Sequence, residues 1–338
     1  MNTLVIAEAG ANHNRNFKLA KKLIDAAMAA KCDAIKFQTY SSETLYAKNT
    51  PDFGEYKDIN KLIKDIELPR EWQKDLKQYC EDSGIEFIST PFDERAVDEL
   101  YDLGVKRFKI AGFEATDPRI VKHVASTGLP LIITAGINVN IEKMNLILEW
   151  ILEENKNPDI TFLHGNNAYP TPFSDINLGQ IPKIIKLLDQ LFFKTNFKVG
   201  LSDHTMGILI PPVAVAMGAE VVEKHFTLDR NLEGPDHPFA IEFGELKQMV
   251  RDIRNVEESL SEKVGNLSKS EKNFFNATRS VVSLRDIKKG DTITLDKITT
   301  KRPAFEDSIP AFEYYNLAGK VAQKNIRRDA VLNWQDID

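Results

Sequence analysis

Two histidines occupy positions at which buried side chains could bind a metal or take part in catalysis. His204 and His225 each lie at the end of a short apolar run, and the two runs follow one another along the chain. Neighbouring strands lie ~4.8 Å apart, so imidazoles at adjacent strand ends could share one divalent metal, with water and substrate as further ligands. A histidine in such a place is also commonly a hydrogen-bonded structural residue. The spacing alone does not decide between the two interpretations.

Two lysines are flanked on both sides by apolar residues, Lys36 and Lys109. An ammonium group in a protein core needs an anion beside it. The two inward lysines therefore predict an anionic ligand or a Schiff base. Lys224 is expected instead on the solvent side of a loop, and Asp203 is as well suited to bracing a loop as to acting on substrate.

The elements that position these residues alternate between β-rich runs and helical spacing. Several of the runs are apolar on nearly every residue, as strands buried on both faces are. Eight strand–helix units predict a closed (β/α)8 TIM barrel over residues 1–260, a fold of typically ~250 residues. An open doubly wound sheet is less favoured, because no glycine-rich turn follows the first strand. The eight runs are residues 4–10, 34–40, 86–92, 107–113, 130–136, 160–166, 198–204 and 220–226.

Polar residues gather at the carboxyl ends of these runs, where barrel enzymes carry their active sites. Burying such groups is costly unless they are paired, so their concentration at one end of the strands predicts a site. The residues at these ends are Glu8, Asn12, His13, Lys36, Gln38, Ser89, Thr90, Lys109, Glu114, Thr134, residues 164–169, Ser202, Asp203, His204, Glu223, Lys224 and His225.

Composition narrows the class of protein. The chain has 338 residues, with 44 Lys plus Arg against 50 Asp plus Glu and a net charge of −6. An acidic balance argues against nucleic acid or an anionic membrane as the main partner. The longest apolar stretch, residues 207–222, is broken by Pro211 and Pro212 and is too short to span a bilayer. Cys32 and Cys80 fit neither a metal motif nor a disulfide framework, which favours a reducing, cytoplasmic location.

The last quarter of the chain differs in character. Residues 261–278 are largely polar and are predicted to form a linker. Residues 279–338 show short strand and turn patterns and predict a small β-rich domain. A domain of some 60 residues is only marginally stable alone, so we expect it to be stabilised by contacts with its own barrel or with a partner chain.

Several motifs resemble the sialic acid synthase family, and they occur in the family's order over essentially the whole chain. The terminal segment resembles that family's antifreeze-like (SAF) domain. The motifs are residues 6–13 (IAEAGANH), 36–39 (KFQT), 87–92 (FISTPF), 109–114, 167–172 (NAYPTP), 200–205 (GLSDHT), 223–227 (EKHFT) and 233–237, with 301–303 and 319–320 in the terminal domain.

The resemblance implies a metal-dependent condensation of phosphoenolpyruvate with an N-acetylated aminosugar, typically N-acetylmannosamine. The products would be a nine-carbon 2-keto acid and phosphate, released by C–O cleavage. A divalent metal, usually Mn²⁺, would be held by His204 and His225 and act as a Lewis acid on the sugar aldehyde. Glu8 and Lys109 join the two histidines as the implied catalytic residues.

The resemblance also implies a binding role for each remaining motif residue. Contacts to phosphoenolpyruvate would come from Lys36, Thr90, Lys109, Asn167, Tyr169 and Ser202. The sugar and the reacting centre would be contacted by Glu8, Gln38, Glu114 and Asp236. Arg302 matches an arginine that the terminal domain of one subunit places over the active site of the other, which implies a domain-exchanged homodimer.

One position departs from the family, and three alternative functions stay open. Gly112 stands where serine is common as a phosphate contact, so only its backbone N–H could serve, at a cost of ~1 kcal/mol in binding. Legionaminic or pseudaminic acid synthases use diacetamido-trideoxy hexoses instead of N-acetylmannosamine. A pyruvate aldolase would use Lys36 or Lys109 as a Schiff-base nucleophile. A non-enzymatic protein would bind ligands through the terminal domain above an inactive barrel.

Overall fold

The structure is a computed structural model that describes residues 2–52, 57–137, 141–191, 197–261 and 267–338. The chain separates into two units, Met1–Ser261 and Glu262–Asp338. Among the described residues, no helix has the length and apolar character needed to cross a membrane.

The first unit is the predicted (β/α)8 barrel. Its eight strands are parallel to their neighbours in the order β3-β2-β1-β8-β7-β6-β5-β4, and β3 packs beside β4 where the sheet nearly closes. This order excludes the open doubly wound sheet. The strands are β1 (Leu4–Glu8), β2 (Ala34–Thr39), β3 (Glu86–Pro91), β4 (Phe108–Ile110), β5 (Leu131–Ala135), β6 (Ile160–Gly165), β7 (Phe197–Asp203) and β8 (Val221–Thr227).

The interior of the barrel is layered by the two-residue period of the strands. The lower layer is apolar and contains Ile6, Ala34, Ile88, Ile132, Leu163 and Val221. Two residues further along β1, β2 and β8, the same inward face carries Glu8, Lys36 and Glu223. The alternate residues, such as Val5 and Phe37, face outward and pack under the helices. The strand pattern thus places an apolar floor beneath a polar upper layer.

Helices follow the strands and cover the sheet. Asn16 caps α1, because its side chain accepts a hydrogen bond from Leu19 N. α2 lies in the connection between β2 and α3 and is an addition to the basic repeat. The helices of this unit are α1 (Phe17–Ala29), α2 (Ile59–Ile66), α3 (Gln73–Ser83), α4 (Glu94–Leu103), α5 (Pro118–Ser126), α6 (Ile141–Glu154), α7 (Gln180–Leu191), α8 (Ile210–Ala216) and α9 (Phe243–Ser259), with a short strand β9 (Ile241–Glu242) beside β8.

The second unit has its own small core and begins with a short helix, α10 (Lys269–Lys272). Strand β10 (Ser280–Ser283) pairs antiparallel with β11 (Ile298–Lys301). The short strand patterns of this domain at residues 292–295, 319–321 and 330–332 form only isolated bridges, such as Thr292 with Val321. Part of the predicted linker, residues 262–266, lies outside the described residues. The core is formed by Val281, Ile287, Ile293, Ile298, Ile309, Leu317, Ala322, Ile326, Leu332 and Ile337.

Candidate active site

Lys36 lies at the centre of the polar layer and is only 2% exposed. Its ammonium nitrogen lies 2.8 Å from Glu8 Oε2 and donates to Thr90 Oγ1 at 3.2 Å. Gln38 Nε2 donates to the other oxygen of Glu8 at 2.7 Å. Adjacent strands β1, β2 and β3 therefore bring four of the expected site residues into one hydrogen-bonded group.

Glu223 connects this group to Lys109. Its Oε1 lies 3.0 Å from the ammonium nitrogen of Lys109 and accepts from Ser202 Oγ at 3.2 Å. Its Oε2 lies 3.8 Å from Lys36 Nζ. Glu223 stands at a predicted strand end, but no role was predicted for it from the sequence. The available signal was its position two residues before His225 on β8, which places both side chains on the inward face.

The charges of this cluster are set by burial and by mutual contact. Burial raises the pKa of Glu8 to about 7, although Lys36 works in the opposite direction. Burial also acts to raise the pKa of Glu223, but the ammonium groups of Lys109 and Lys36 outweigh it and lower that pKa to about 2. Burial lowers the pKa of Lys109 below its ordinary value despite Glu223. The anion that buried lysines require is thus supplied within the chain, chiefly by Glu223.

His204 and His225 lie beside this cluster with their ring centroids 5.5 Å apart. His204 Nδ1 lies 2.6 Å from the Asn166 carbonyl oxygen, so a proton on Nδ1 leaves Nε2 with a free lone pair. His225 Nδ1 is buried without a hydrogen bond. Burial lowers the pKa of His204 to about 4 and that of His225 well below its usual range, which favours the neutral imidazoles that metals bind.

The donor set fits a divalent cation with two protein ligands. A metal-bound histidine usually donates its other ring N–H to a carbonyl or carboxylate, as His204 can to Asn166. Among the described residues, no group of three His, Cys, Asp or Glu side chains is arranged to hold a metal. Further ligands would then come from water or substrate, as in catalytic rather than structural sites.

An aromatic wall flanks the histidines. The Tyr169 ring lies 4.2 Å from the His204 ring and 5.4 Å from that of Phe239, between centroids. The Phe239 ring in turn lies 5.1 Å from that of His225. These contacts restrict the two imidazoles to the mouth of the barrel.

Asn167 fills the space beside Gly112. Its Oδ1 accepts from Ile137 N at 2.7 Å. A Cβ atom on Gly112 would stand 2.9 Å from Asn167 Oδ1 and 3.0 Å from its Nδ2. The amide of Asn167 therefore occupies the space that a serine side chain at residue 112 would need.

A cavity of about 380 Å³ opens beside the polar layer. Asp236 Oδ2 accepts from Ala11 N at 3.0 Å and lies 3.8 Å from His225 Nδ1. Glu114 has a buried Oε2 without a hydrogen-bond partner, and burial raises its pKa to about 7. Expected site residues that line this cavity are Gln38, Glu114, Asn167, Tyr169, His225 and Asp236.

Lys224 and Asp203 form a second buried pair on the outer side of the sheet. The prediction that Lys224 faces solvent is wrong, because this side chain is 1% exposed and its nitrogen lies 2.7 Å from Asp203 Oδ2. Lys224 also donates to the Thr205 carbonyl, while Asp203 Oδ1 accepts from Thr205 N at 3.0 Å. Asp203 therefore braces the loop that begins at His204.

Arg302 belongs to the second unit and follows β11 directly. Its side chain is exposed. Its role at an active site stays a prediction.

Comparisons with known proteins identify the family of the chain. Residues 23–265 match the NeuB family and residues 278–338 match the SAF domain. The chain is 38% identical to the N,N'-diacetyllegionaminic acid synthase of Campylobacter jejuni, over 98% of each chain. It is 36% identical to a pseudaminic acid synthase of the same species, over 98% of this chain and 96% of the relative.

A solved structure is similar in fold and sequence. The N-acetylneuraminic acid synthetase of Leptospira borgpetersenii, in complex with citrate, superposes with a TM-score of 0.69 at 33% identity. The match covers 81% of this chain and 90% of the other. The chain therefore belongs to the NeuB family and carries a SAF domain over residues 278–338.

Proposed function

We propose that this protein is a nonulosonate synthase, which condenses phosphoenolpyruvate with an N-acetylated aminosugar to a nine-carbon 2-keto acid and phosphate. The observation that carries the proposal is the meeting of two buried ammonium groups, Lys36 and Lys109, with two buried neutral imidazoles at one mouth of the barrel. Lysines suit a phosphorylated carboxylate, and imidazoles suit a divalent metal.

Phosphoenolpyruvate would bind over the polar layer. Lys36 and Lys109 supply the positive charge, and Thr90 and Ser202 already donate or accept hydrogen bonds within the same cluster. Asn167 and Tyr169 would complete the site from the loop after β6. The nucleophilic C3 of phosphoenolpyruvate would then attack the open-chain sugar aldehyde.

The rest of the reaction requires water and a proton acceptor. After C3 attack, water adds at C2 and loses a proton, and the tetrahedral intermediate releases phosphate by cleavage of the C–O bond. Glu8 contacts both Lys36 and Gln38, and a carboxylate whose pKa is about 7 is suited to proton transfer near neutral pH. We assign Glu8 to this proton transfer.

His204 and His225 would hold the metal, for which we propose Mn²⁺. The bound ion would supply Lewis-acid polarisation of the sugar aldehyde. The contact of His204 with the Asn166 carbonyl and the free Nδ1 of His225 support this role. Gln38, Glu114 and Asp236 would position the sugar hydroxyl and acylamino groups in the cavity.

The sugar could be N-acetylmannosamine or a diacetamido-trideoxy hexose. The second alternative is supported by the names of the two Campylobacter relatives, a legionaminic and a pseudaminic acid synthase. The Schiff-base aldolase is less well supported, because both candidate nucleophiles are paired with carboxylates. The Lys36 nitrogen lies 2.8 Å from Glu8 and the Lys109 nitrogen lies 3.0 Å from Glu223, whereas a Schiff-base lysine must act as a free amine.

The second unit would act in trans. We propose a barrel over residues 1–260, a linker over 261–278 and an SAF domain over 279–338, with Arg302 reaching the active site of the other subunit of a homodimer. Two largely exposed aromatic residues of this unit, Phe312 and Tyr315, support a partner contact. Removal of residues 279–338 should then abolish activity and weaken dimers, whereas an active truncated monomer would contradict domain exchange.

The decisive experiment measures phosphate release and 2-keto acid formation from phosphoenolpyruvate and a panel of N-acylated aminosugars. Activity should disappear with a chelator and return with Mn²⁺. With ¹⁸O in the bridging position of phosphoenolpyruvate, the label should leave in phosphate. Borohydride trapping of a covalent pyruvate adduct would support the aldolase instead. The cytoplasmic location stays a prediction, supported by two free, buried cysteines.

A further inference from the structure

The loops that follow β1 and β8 are joined to each other at the mouth of the barrel. Asn12 Nδ2 donates to the Phe226 carbonyl at 2.8 Å, and Ala11 N donates to Asp236 Oδ2 at 3.0 Å. The approach is close at Gly10, where φ is +49° and a Cβ atom would overlap Asp236 Oδ2. The Asp236 carboxylate is thus held directly against the loop after β1.

The imidazole of His237 makes a second junction between the same two loops. Its Nε2 lies 3.1 Å from Asn14 Oδ1, and its Nδ1 lies 2.7 Å from Thr227 Oγ1. Asn14 Nδ2 donates to the Glu233 carbonyl at 2.8 Å, which directs the amide oxygen toward His237. Because an amide oxygen only accepts, Nε2 carries the proton. Burial lowers the pKa of His237, so the ring is neutral and its Nδ1 accepts from the Thr227 hydroxyl.

His237 follows Asp236 in the chain but is not placed to touch a substrate. Its side chain is 0% exposed, whereas Asp236 lines the active-site cavity and lies 3.8 Å from His225 Nδ1. Both nitrogen atoms of the His237 ring are bonded to other residues of the protein. The imidazole can therefore affect a reaction only through the groups that it holds in place.

We propose that His237 is a positioning residue for the aminosugar. By fastening the loop after β8 to the loop after β1, it holds the Asp236 carboxylate against Ala11 N and toward the cavity. This inference rests on the proposed function, which assigns Asp236 to the sugar, and it adds a residue that acts without touching the sugar. Misplacement of a positioning group by about 1 Å can cost about 100-fold in rate. Phosphoenolpyruvate, which is assigned to the two lysines, should bind as before.

Replacement of His237 by Phe keeps a ring of similar size but removes both hydrogen bonds. With Mn²⁺ and the aminosugar that the wild type uses best, kcat/KM for the sugar should fall by about 10–100-fold, mainly through a higher sugar KM. The KM for phosphoenolpyruvate should stay close to that of the wild type. His237→Gln keeps an N–H donor for Asn14 and should recover most of the loss. An unchanged sugar KM, or an equal rise in both KM values, would overturn the proposal.

Two further variants separate this role from a general loss of stability. Asn14→Gly removes the same hydrogen bond from the other loop, and glycine accepts the φ of +46° found there, so it should reproduce the effect of His237→Phe on the sugar KM. His123→Phe makes the same change at a surface histidine paired with Asp98 and should leave both KM values unchanged.

A double-mutant cycle tests whether His237 acts through Asp236. Asp236→Ala removes the carboxylate whose position is in question. In that background, His237→Phe should lower kcat/KM for the sugar little further, so the two effects should not add. Additive effects would show that His237 acts by another route and would overturn the proposal.

Hydrogen exchange reports the position of Asp236 without turnover. In the ligand-free full chain, the Ala11 amide should exchange about 10-fold faster in His237→Phe and in Asn14→Gly than in the wild type. The Ala9 amide, which donates to the Lys36 carbonyl at 2.9 Å, should be unchanged. Unchanged exchange at Ala11 in both variants would overturn this inference alone. Failure of the wild type to turn over any aminosugar would instead overturn the proposed function, and the role of His237 toward the sugar with it.

Discussion

Glu223 lies 3.0 Å from the ammonium nitrogen of Lys109, and this carboxylate is shared with Lys36 at 3.8 Å. All three side chains are almost completely buried. The site is thus partly neutralised before any ligand enters it. An anionic substrate must therefore compete with the Glu223 carboxylate, which already balances the charge of both lysines, or displace it.

Replacement of Glu223 by Gln tests this role as counter-ion. Loss of one member of a buried ion pair leaves an uncompensated charge and typically costs about 3–5 kcal/mol, so the free energy of unfolding should fall by that order. Phosphoenolpyruvate should then raise the melting temperature of Glu223→Gln by more than that of the wild type, because the ligand replaces the lost negative charge. Calorimetry with and without ligand measures both effects. Equal ligand-induced shifts in the two proteins would contradict the role.

Replacement of His225 by Ala tests the metal site. The ring makes contacts with His204 and Phe239 but no hydrogen bond through Nδ1, so the fold should survive its removal. Mn²⁺ binding, followed by electron paramagnetic resonance, should be lost together with activity. His123→Ala, which changes a surface histidine paired with Asp98, serves as the control and should retain both. Undiminished turnover of His225→Ala in metal-free buffer would refute the assignment.

The Lys224–Asp203 pair supports the loop at His204 from outside the barrel. Lys224→Met leaves Asp203 buried and unpaired, and we expect a loss of about 3–5 kcal/mol in the free energy of unfolding. The double variant Lys224→Met/Asp203→Asn removes both charges and should recover a large part of that loss. Urea titrations of the wild type, both single variants and the double variant give the coupling energy. Additive effects of the two single changes would show that the pair does not act as a unit.

The barrel could be predicted because its signals are long and repeated. Several strands are runs of apolar residues, and all eight begin within one residue of the predicted start, although β1 and β4 end two and three residues earlier than predicted. α2 spans only eight residues, too short a pattern to separate from a loop by spacing. In the second unit, single bridges such as Thr292 with Val321 take the place of predicted strands, since a small domain builds much of its core from turns.

The sequence allowed the residues of the site to be predicted, but not the side chains with which each of them pairs. The position of a strand end identified Lys36, Lys109, His204 and His225, but not which carboxylate balances the lysines. The period of two would have separated inward Glu223 from outward Lys224, because the two are neighbours on β8. The packing of Asn167 against Gly112 depends on loops whose course no local pattern determines.

Glu114 should make stability depend on pH. Burial raises its pKa from 4.5 to about 7, with Lys109 and Lys36 opposing the shift and Asp117 adding to it. The folded state therefore binds more protons than the unfolded state between these values, and its stability must fall as the pH rises from about 4.5 to 7. Glu114→Gln removes this titration. The free energy of unfolding of the variant minus that of the wild type should therefore be about 1–3 kcal/mol larger at pH 8 than at pH 4.5.

Urea unfolding of the ligand-free protein at both pH values measures the effect of Glu114. Taking the difference between variant and wild type cancels the titration of all other groups that the substitution leaves unchanged. Glu149→Gln, at an exposed position of α6, should show the same difference at both pH values. If Glu114→Gln also shows no change between pH 4.5 and pH 8, the carboxyl group is not held in its protonated form by burial. The free Oε2 of Glu114 would then have to be solvated within the cavity.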